Sequence, residues 1–219
     1  YTLPEDSYMV KMDIRQKGME TILPGNTASL DLFWNQNLRS QEKGRMFEER
    51  NSALYYKFVG SDVDHLSESK DEQETISLGL KWIGYKNQFF SSALIPDGKF
   101  NGALIRSGMN NDPAYLKNFH TETTVDYNPA DNNGPGFRFY LGPNLYPLLH
   151  SYDKGVDDDK ALDLDKLVPL GFKFFRWINT WIIIPIFTFL GKYIANYGII
   201  ILLMTIIIKI FLAPLTFKS

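Results

Sequence analysis

Ile76-Ser77-Leu78-Gly79-Leu80-Lys81-Trp82 sets large apolar residues at 76, 78, 80 and 82 against Ser77, Gly79 and Lys81 between them. A strand sends successive side chains to opposite faces, so this alternation predicts a strand with one buried face and one wet face. Outward from it the pattern recurs. Tyr8, Val10, Met12 and Ile14 alternate with Met9, Lys11 and Asp13, and Leu30, Leu32 and Trp34 repeat it. Phe119, Thr121, Thr123, Val125 and Tyr127 form a more polar version, and Phe137, Phe139 and Leu141 a short last one. Turn signals separate them at Pro24-Gly25-Asn26, Pro96-Asp97-Gly98, Asn128-Pro129 and Asn132-Asn133-Gly134-Pro135-Gly136. Many short strands with Gly/Pro turns predict a mainly β, antiparallel sandwich over residues 1–152. Residues 41–51 are charged and read as a loop or short helix, and the polar, acidic stretch 61–74 reads as an exposed loop.

From Gly142 the character changes. Asn144 to Tyr152 predicts a short helix or turn, and residues 153–166 read as a hydrophilic, acidic connector. Its Asp157-Asp158-Asp159 run lacks the spacing and the Gly and Glu positions of a twelve-residue calcium loop, so no metal site is assigned. All 25 acidic residues lie at or before Asp165, and the charged side chains beyond it are all basic: Lys166, Lys173, Arg176, Lys192, Lys209 and Lys218. The first part is water-facing and acidic; the second is apolar and basic, as membrane-associated segments tend to be.

Residues 167–196 form an apolar region that Pro185 divides. Proline suits the first turn of a helix, so a helix starting there is expected. Ile186, Phe189, Leu190, Tyr193 and Ile194 then make a continuous apolar stripe, with Thr188, Gly191, Lys192 and Ala195 opposite, which predicts an amphipathic helix lying in a membrane interface. Trp177, Trp181, Phe187, Phe189 and Tyr193 suit the headgroup level. The rival reading, a span over Trp177 to Leu190, is short for a bilayer and contains the proline.

Tyr197 to Phe217 carries one charge, Lys209, and is long enough as a helix to cross the roughly 30 Å hydrocarbon core. Residues 197–219 are therefore read as a transmembrane helix, weakened or stopped near Pro214. Thr205 and Lys209 stand four apart and share a helix face. A lysine within a span faces protein or water, or snorkels to a headgroup, and spacing alone leaves both open.

No nucleophile elbow, phosphate-binding glycine loop or zinc-helix motif occurs. His65, His120 and His150 are scattered. Trp34, Tyr55, Tyr56 and Trp82 could line a sugar cleft, although strand aromatics are usually core. Cysteine is absent, which removes disulfides and thiolate metal sites. No signal peptide opens the chain, and it reads as a piece cut at both ends.

The chain resembles the YidC-type membrane protein insertases, the bacterial members of the Oxa/Alb insertase family. Asn196-Tyr197-Gly198, Ile199 through Lys209 and Pro214-Leu215-Thr216 are similar to that family's second transmembrane helix; Pro185-Ile186-Phe187 resembles the start of its amphipathic periplasmic helix. Trp82-Ile83, Gln88-Phe89-Phe90, Ala93 to Pro96 and Gly142-Pro143 resemble the end of its large periplasmic domain. The likeness runs from about residue 75 onward and more loosely before. It implies a β-supersandwich similar to galactose mutarotases, sited in the periplasm and anchored in the bacterial inner membrane. It also implies a hydrophilic groove whose basic residue, usually arginine, receives polar parts of incoming membrane proteins. Lys209 matches that residue and Thr205 a groove-side threonine. Lysine keeps the charge but loses the planar five-donor fork. The implied partners are nascent membrane proteins, the Sec translocon and the lipid bilayer. A ribosome would be engaged only through parts outside this sequence, and no nucleic acid is expected. The expected role is non-enzymatic and needs no cofactor. The alternatives are a membrane-anchored, mutarotase-like carbohydrate-binding module, and an envelope domain that docks translocation proteins with Lys209 as a lipid anchor.

Overall fold

The computed structural model describes residues 1–171 and 177–216, with side chains described as far as Ile210 and at Ala213. It divides into two compact units, Tyr1–Val168 and Pro169–Ser219. The first unit contains β1 (Met9–Arg15), β2 (Ser29–Arg39), α1 (Arg45–Arg50), β3 (Ala53–Phe58), β4 (Val63–His65) and β5 (Glu72–Ile76). These are followed by β6 (Leu80–Lys86), β7 (Phe90–Pro96), β8 (Phe100–Met109), β9 (Tyr115–Asp126), β10 (Asn133–Pro143) and α2 (Tyr146–Ser151).

All pairings are antiparallel, and the bonded path runs β1-β10-β7-β6-β8-β9-β2, with β3 and β4 added on β6 and β5 on β8. The link between β6 and β8 is a single residue pair, Leu80 with Phe100. The sheet therefore folds over at that point into two layers, β4-β3-β6-β7-β10-β1 and β5-β8-β9-β2. Between them lies the main core: Leu54, Tyr56, Ile83, Tyr85, Leu94 and Phe137 from the first layer meet Ile105, Leu116, Phe119 and Val125 from the second. Trp34 of β2 stacks on Tyr85 with ring centroids 3.8 Å apart, and the Tyr85 hydroxyl donates to the Trp34 carbonyl and shares a second hydrogen bond with the Thr121 hydroxyl. This is the expected antiparallel β-sandwich.

The stretch 76–82 is not one strand but the corner between the layers. β5 ends at Ile76 in one layer and β6 begins at Leu80 in the other, with Ser77–Gly79 crossing between them. Leu78, read as core, is 66% exposed because it sits on that crossing. Strands that change sheets do so through such bends.

Other departures follow from tertiary pairing. The loop expected at 61–74 contains β4 and the start of β5, each short and supported by a neighbour, β3 and β8 respectively. The turn expected at 132–136 is the start of β10, where Asn133 and Gly136 pair with β1 across a register shift; bulged edges of this kind accommodate a proline such as Pro135. α1 forms within 41–51 because the buried Glu48 carboxylate accepts hydrogen bonds from the backbone N–H groups of Gln41 and Glu42 and from Ser40 Oγ.

A second core lies on the outer face of the first layer. Ala53, Tyr55, Trp82, Ala93, Ile95 and Tyr140 are covered there by Leu149 of α2 and by Leu162, Leu164 and Leu167. The segment read as a hydrophilic connector, 153–166, thus packs down as a strap. Trp82 Nε1 donates to the Leu162 carbonyl at 2.6 Å. Asp153 accepts from the N–H groups of Leu162 and Asp163, both at 2.6 Å, which holds Asp163 in the left-handed region at φ 53°. Asp157, Asp158 and Asp159 face outward while its leucines reach the sheet, so composition alone concealed the packing.

Candidate functional site: an apolar helical pair with a polar ridge

In the second unit the chain is already helical before Pro185. Asn179–Ile183 winds as a π-helix and runs into α3 (Ile184–Gly191), with Ile183 at φ −70°, ψ −52°. Proline does sit in the first turn of α3, as expected, but it does not start the helical path. A proline lacks the N–H for the usual bond and crowds the carbonyl four residues back; the wider π turn accommodates both. The expected single apolar stripe divides. Ile186, Leu190 and Ile194 are half-buried, whereas Phe189 and Tyr193 are exposed and pack on each other at 5.3 Å. Trp177 and Trp181 are exposed too, the latter 71%. Phe187 is half-buried and stacks parallel to Tyr197, 5.9 Å away. Apolar rings therefore point outward on several sides of α3. Residues 172–176 of this expected region lie outside the described residues.

α4 (Tyr197–Thr216) is 20 residues long and opens on a side-chain cap: Asn196 Oδ1 accepts from the N–H groups of Gly198 and Ile199. Its backbone continues past Pro214, which falls in the last turn; residues 217–219 lie outside the described residues. Across the described residues, no helix is long and apolar enough to cross a membrane. Ile200 and Met204 are buried, and α3 packs against α4. At about 100° per residue, Thr205 and Lys209 occupy the ridge on the other side of α4, and both are exposed. Thr205 Oγ1 donates back to the Ile201 carbonyl at 2.8 Å, so the hydroxyl is satisfied without a second helix. The structure brings these two residues onto one face of α4, while Phe187 of the aromatic set stacks on Tyr197 at its start.

The remaining candidates take other places. Trp82, Tyr55 and Tyr56 are buried and Trp34 is stacked in the main core, so these four do not line an open cleft. His65 packs against Tyr55, His120 bonds Asn35 and Glu122, and His150 stacks on Tyr146 with Asp165 at 3.5 Å. Among the described residues, Asp153, Asp163 and Asp165 converge within 4.8 Å. Asp153 is taken up by backbone N–H groups and Asp163 by Lys57, which describes a fastened strap. Burial pushes the Asp165 carboxyl up, against the pull of His150 and with the push of Asp163 and Asp153. Sequence spacing could not find this trio, since it joins positions ten apart through a turn.

Comparison with known proteins places these features. The family model for the YidC periplasmic domain matches residues 1–188. The chain belongs to that family. The match begins well before residue 75, where the sequence likeness became clear, and ends within α3. Over its whole length the chain is 50% identical to a protein named membrane protein insertase YidC from Parabacteroides distasonis, covering 35% of that relative. It is 46% identical to the insertase YidC of Azobacteroides pseudotrichonymphae, covering 36% of it, and 40% identical to that of Porphyromonas gingivalis, covering 35%. The chain thus spans about a third of the length of these YidC relatives, with α4 inside the aligned part.

Proposed function

We propose that this chain is part of an insertase that places integral membrane proteins into the bacterial inner membrane, alone or beside the Sec translocon. In this reading the β-sandwich stands in the periplasm, α3 lies in the interface with Trp177, Trp181, Phe189 and Tyr193 at headgroup level, and α4 spans the bilayer. The span rests on the run Tyr197 to Phe217, 21 residues with one charge, because the described residues of α4 by themselves are not long and apolar enough to cross. The observation that carries the proposal is the ridge of Thr205 and Lys209, exposed on the side of α4 opposite the buried Ile200 and Met204. A cation held in a wet groove lowers the cost of bringing polar, especially acidic, segments partway into lipid. No covalent step is required, so the activity is transfer between phases.

The test uses the full-length protein. A photocrosslinker at position 205 or 209 should capture a nascent membrane protein, and Lys209→Leu should impair insertion of substrates with charged translocated segments while Lys209→Arg is tolerated. Equal insertion by all three, with capture only from lipid-facing positions such as 206, would remove the groove role.

A further inference from the structure

At one end of the sandwich, two turns stand side by side. The β6–β7 turn presents Phe89 and Phe90, 54% and 60% exposed, and the end of β10 presents Leu141 and Leu145. Four features make this patch unlike a chance exposure of apolar groups.

It is rigid. Asn144 binds the neighbouring turn at several points: its N–H donates to the Phe89 carbonyl at 2.7 Å, its Nδ2 to the Asn87 carbonyl at 2.7 Å, and its Oδ1 accepts from Ser91 Oγ at 2.6 Å. Tyr140 Oη donates to the Pro143 carbonyl at 2.6 Å. Gly142 admits no larger residue, since a Cβ there would lie 2.8 Å from Tyr140 Oη and from Tyr8. The patch is uncharged as well: neither 87–96 nor 139–149 contains an ionisable acid or base other than tyrosine, within a unit that holds all 25 acidic residues of the protein. It continues into an apolar cleft of about 290 Å³ lined by Tyr8, Leu38, Tyr85, Phe90 and Leu141. Lastly, Gln88 Oε1 in the same turn is buried without a hydrogen-bond partner, among the described residues.

We propose that these paired turns form a wedge that enters the headgroup–acyl boundary of a lipid bilayer. This rests on the membrane-attached reading above. Charge selects lipid over a protein partner: a steered protein contact places charges around its apolar centre, whereas here the two turns carry no charged side chain of their own. Rigid rings on short turns lose little conformational freedom on insertion.

The absence of cysteine permits a direct test. Nitroxide labels would be attached singly through Phe89→Cys, Leu145→Cys, Asn101→Cys and Ile206→Cys. Each chain would be reconstituted into vesicles of phosphatidylethanolamine with a minor share of phosphatidylglycerol, and collision with oxygen and with a water-soluble nickel complex measured. Residues 89, 101, 145 and 206 are all exposed, and circular dichroism checks that each variant folds. Labels at 89 and 145 should show an oxygen-to-nickel ratio several-fold above that at 101. A ratio at 89 and 145 equal to that at 101 overturns the proposal, whatever the label at 206 reports. Shielding of 89 and 145 from both quenchers also overturns it, because protein then covers the patch. The label at 206 reports separately on the membrane span of α4.

Discussion

Lys57 Nζ stands 2.5 Å from Asp163 Oδ2, joining strand β3 to the strap across 106 positions of sequence. The lysine is buried, with its ammonium also donating to the Ser61 carbonyl, while the aspartate keeps partial contact with water. Burial alone would raise the Asp163 carboxyl, but the hydrogen bond and charge of Lys57, aided by Lys166, hold it below its ordinary value. Removing the two partners is therefore unequal. Asp163→Ala strands a buried cation and should cost about 2–3 kcal/mol, more than Lys57→Met, which leaves a carboxylate that water can reach. Urea unfolding of both variants checks the order. The folded pKa of Asp163 is depressed, so its contribution is present above about pH 4 and lost as pH falls through the folded value; Asp163→Asn should flatten that acid limb.

Trp82→Phe removes the bond from Nε1 to the Leu162 carbonyl and leaves a small cavity where the larger indole filled the second core. A loss of about 2–3 kcal/mol is expected. Hydrogen exchange should locate it: the amides of Leu162 and Asp163 should exchange faster, while those of β9, away from the strap, stay as protected as before.

Lys117 is buried, donating to the carbonyls of Ser52 and Glu68 at 2.6 and 2.7 Å. Burial pulls its pKa down to about 8, against the attraction of Glu68, Glu49 and Asp71 and with the repulsion of Lys86. The folded value lies below the unfolded one, so between pH about 8 and about 10.5 the unfolded chain holds more protons. This group makes stability rise with pH across that window. Urea midpoints at either end, for the parent and Lys117→Met, should differ in slope, with the rise reduced in the variant.

Gly142→Ala introduces a methyl group 2.8 Å from both Tyr140 Oη and Tyr8. Overpacking of this kind costs about 1–3 kcal/mol, and the melting temperature should fall. Since Tyr140 holds the Pro143 carbonyl, the Gly142–Leu145 turn should also exchange its amides faster.

Strands with one wet face were the most legible. β2 and β9 alternate because only one side of each is covered. β3 escaped because Leu54 and Tyr56 enter the main core while Ala53 and Tyr55 enter the second, leaving an unbroken apolar run without a period. That two-sided burial exists because the strap covers the outer face. Of the site, the pairing of Thr205 with Lys209 was legible from a spacing of four. The partition of the α3 aromatics was not, because it depends on which side α4 covers.

Sequence by itself determined the local matters: alternating strands, the polar ridge on α4, and the separation of an acidic part from a basic, apolar one. These follow from the neighbours of each residue along the chain. Tertiary structure alone decided that residues 76–82 turn a corner, that the acidic segment folds down as a strap, and that Asn144 pins two distant turns together. Each of those depends on groups brought together from far apart, whose contact energy leaves no periodic trace along the chain.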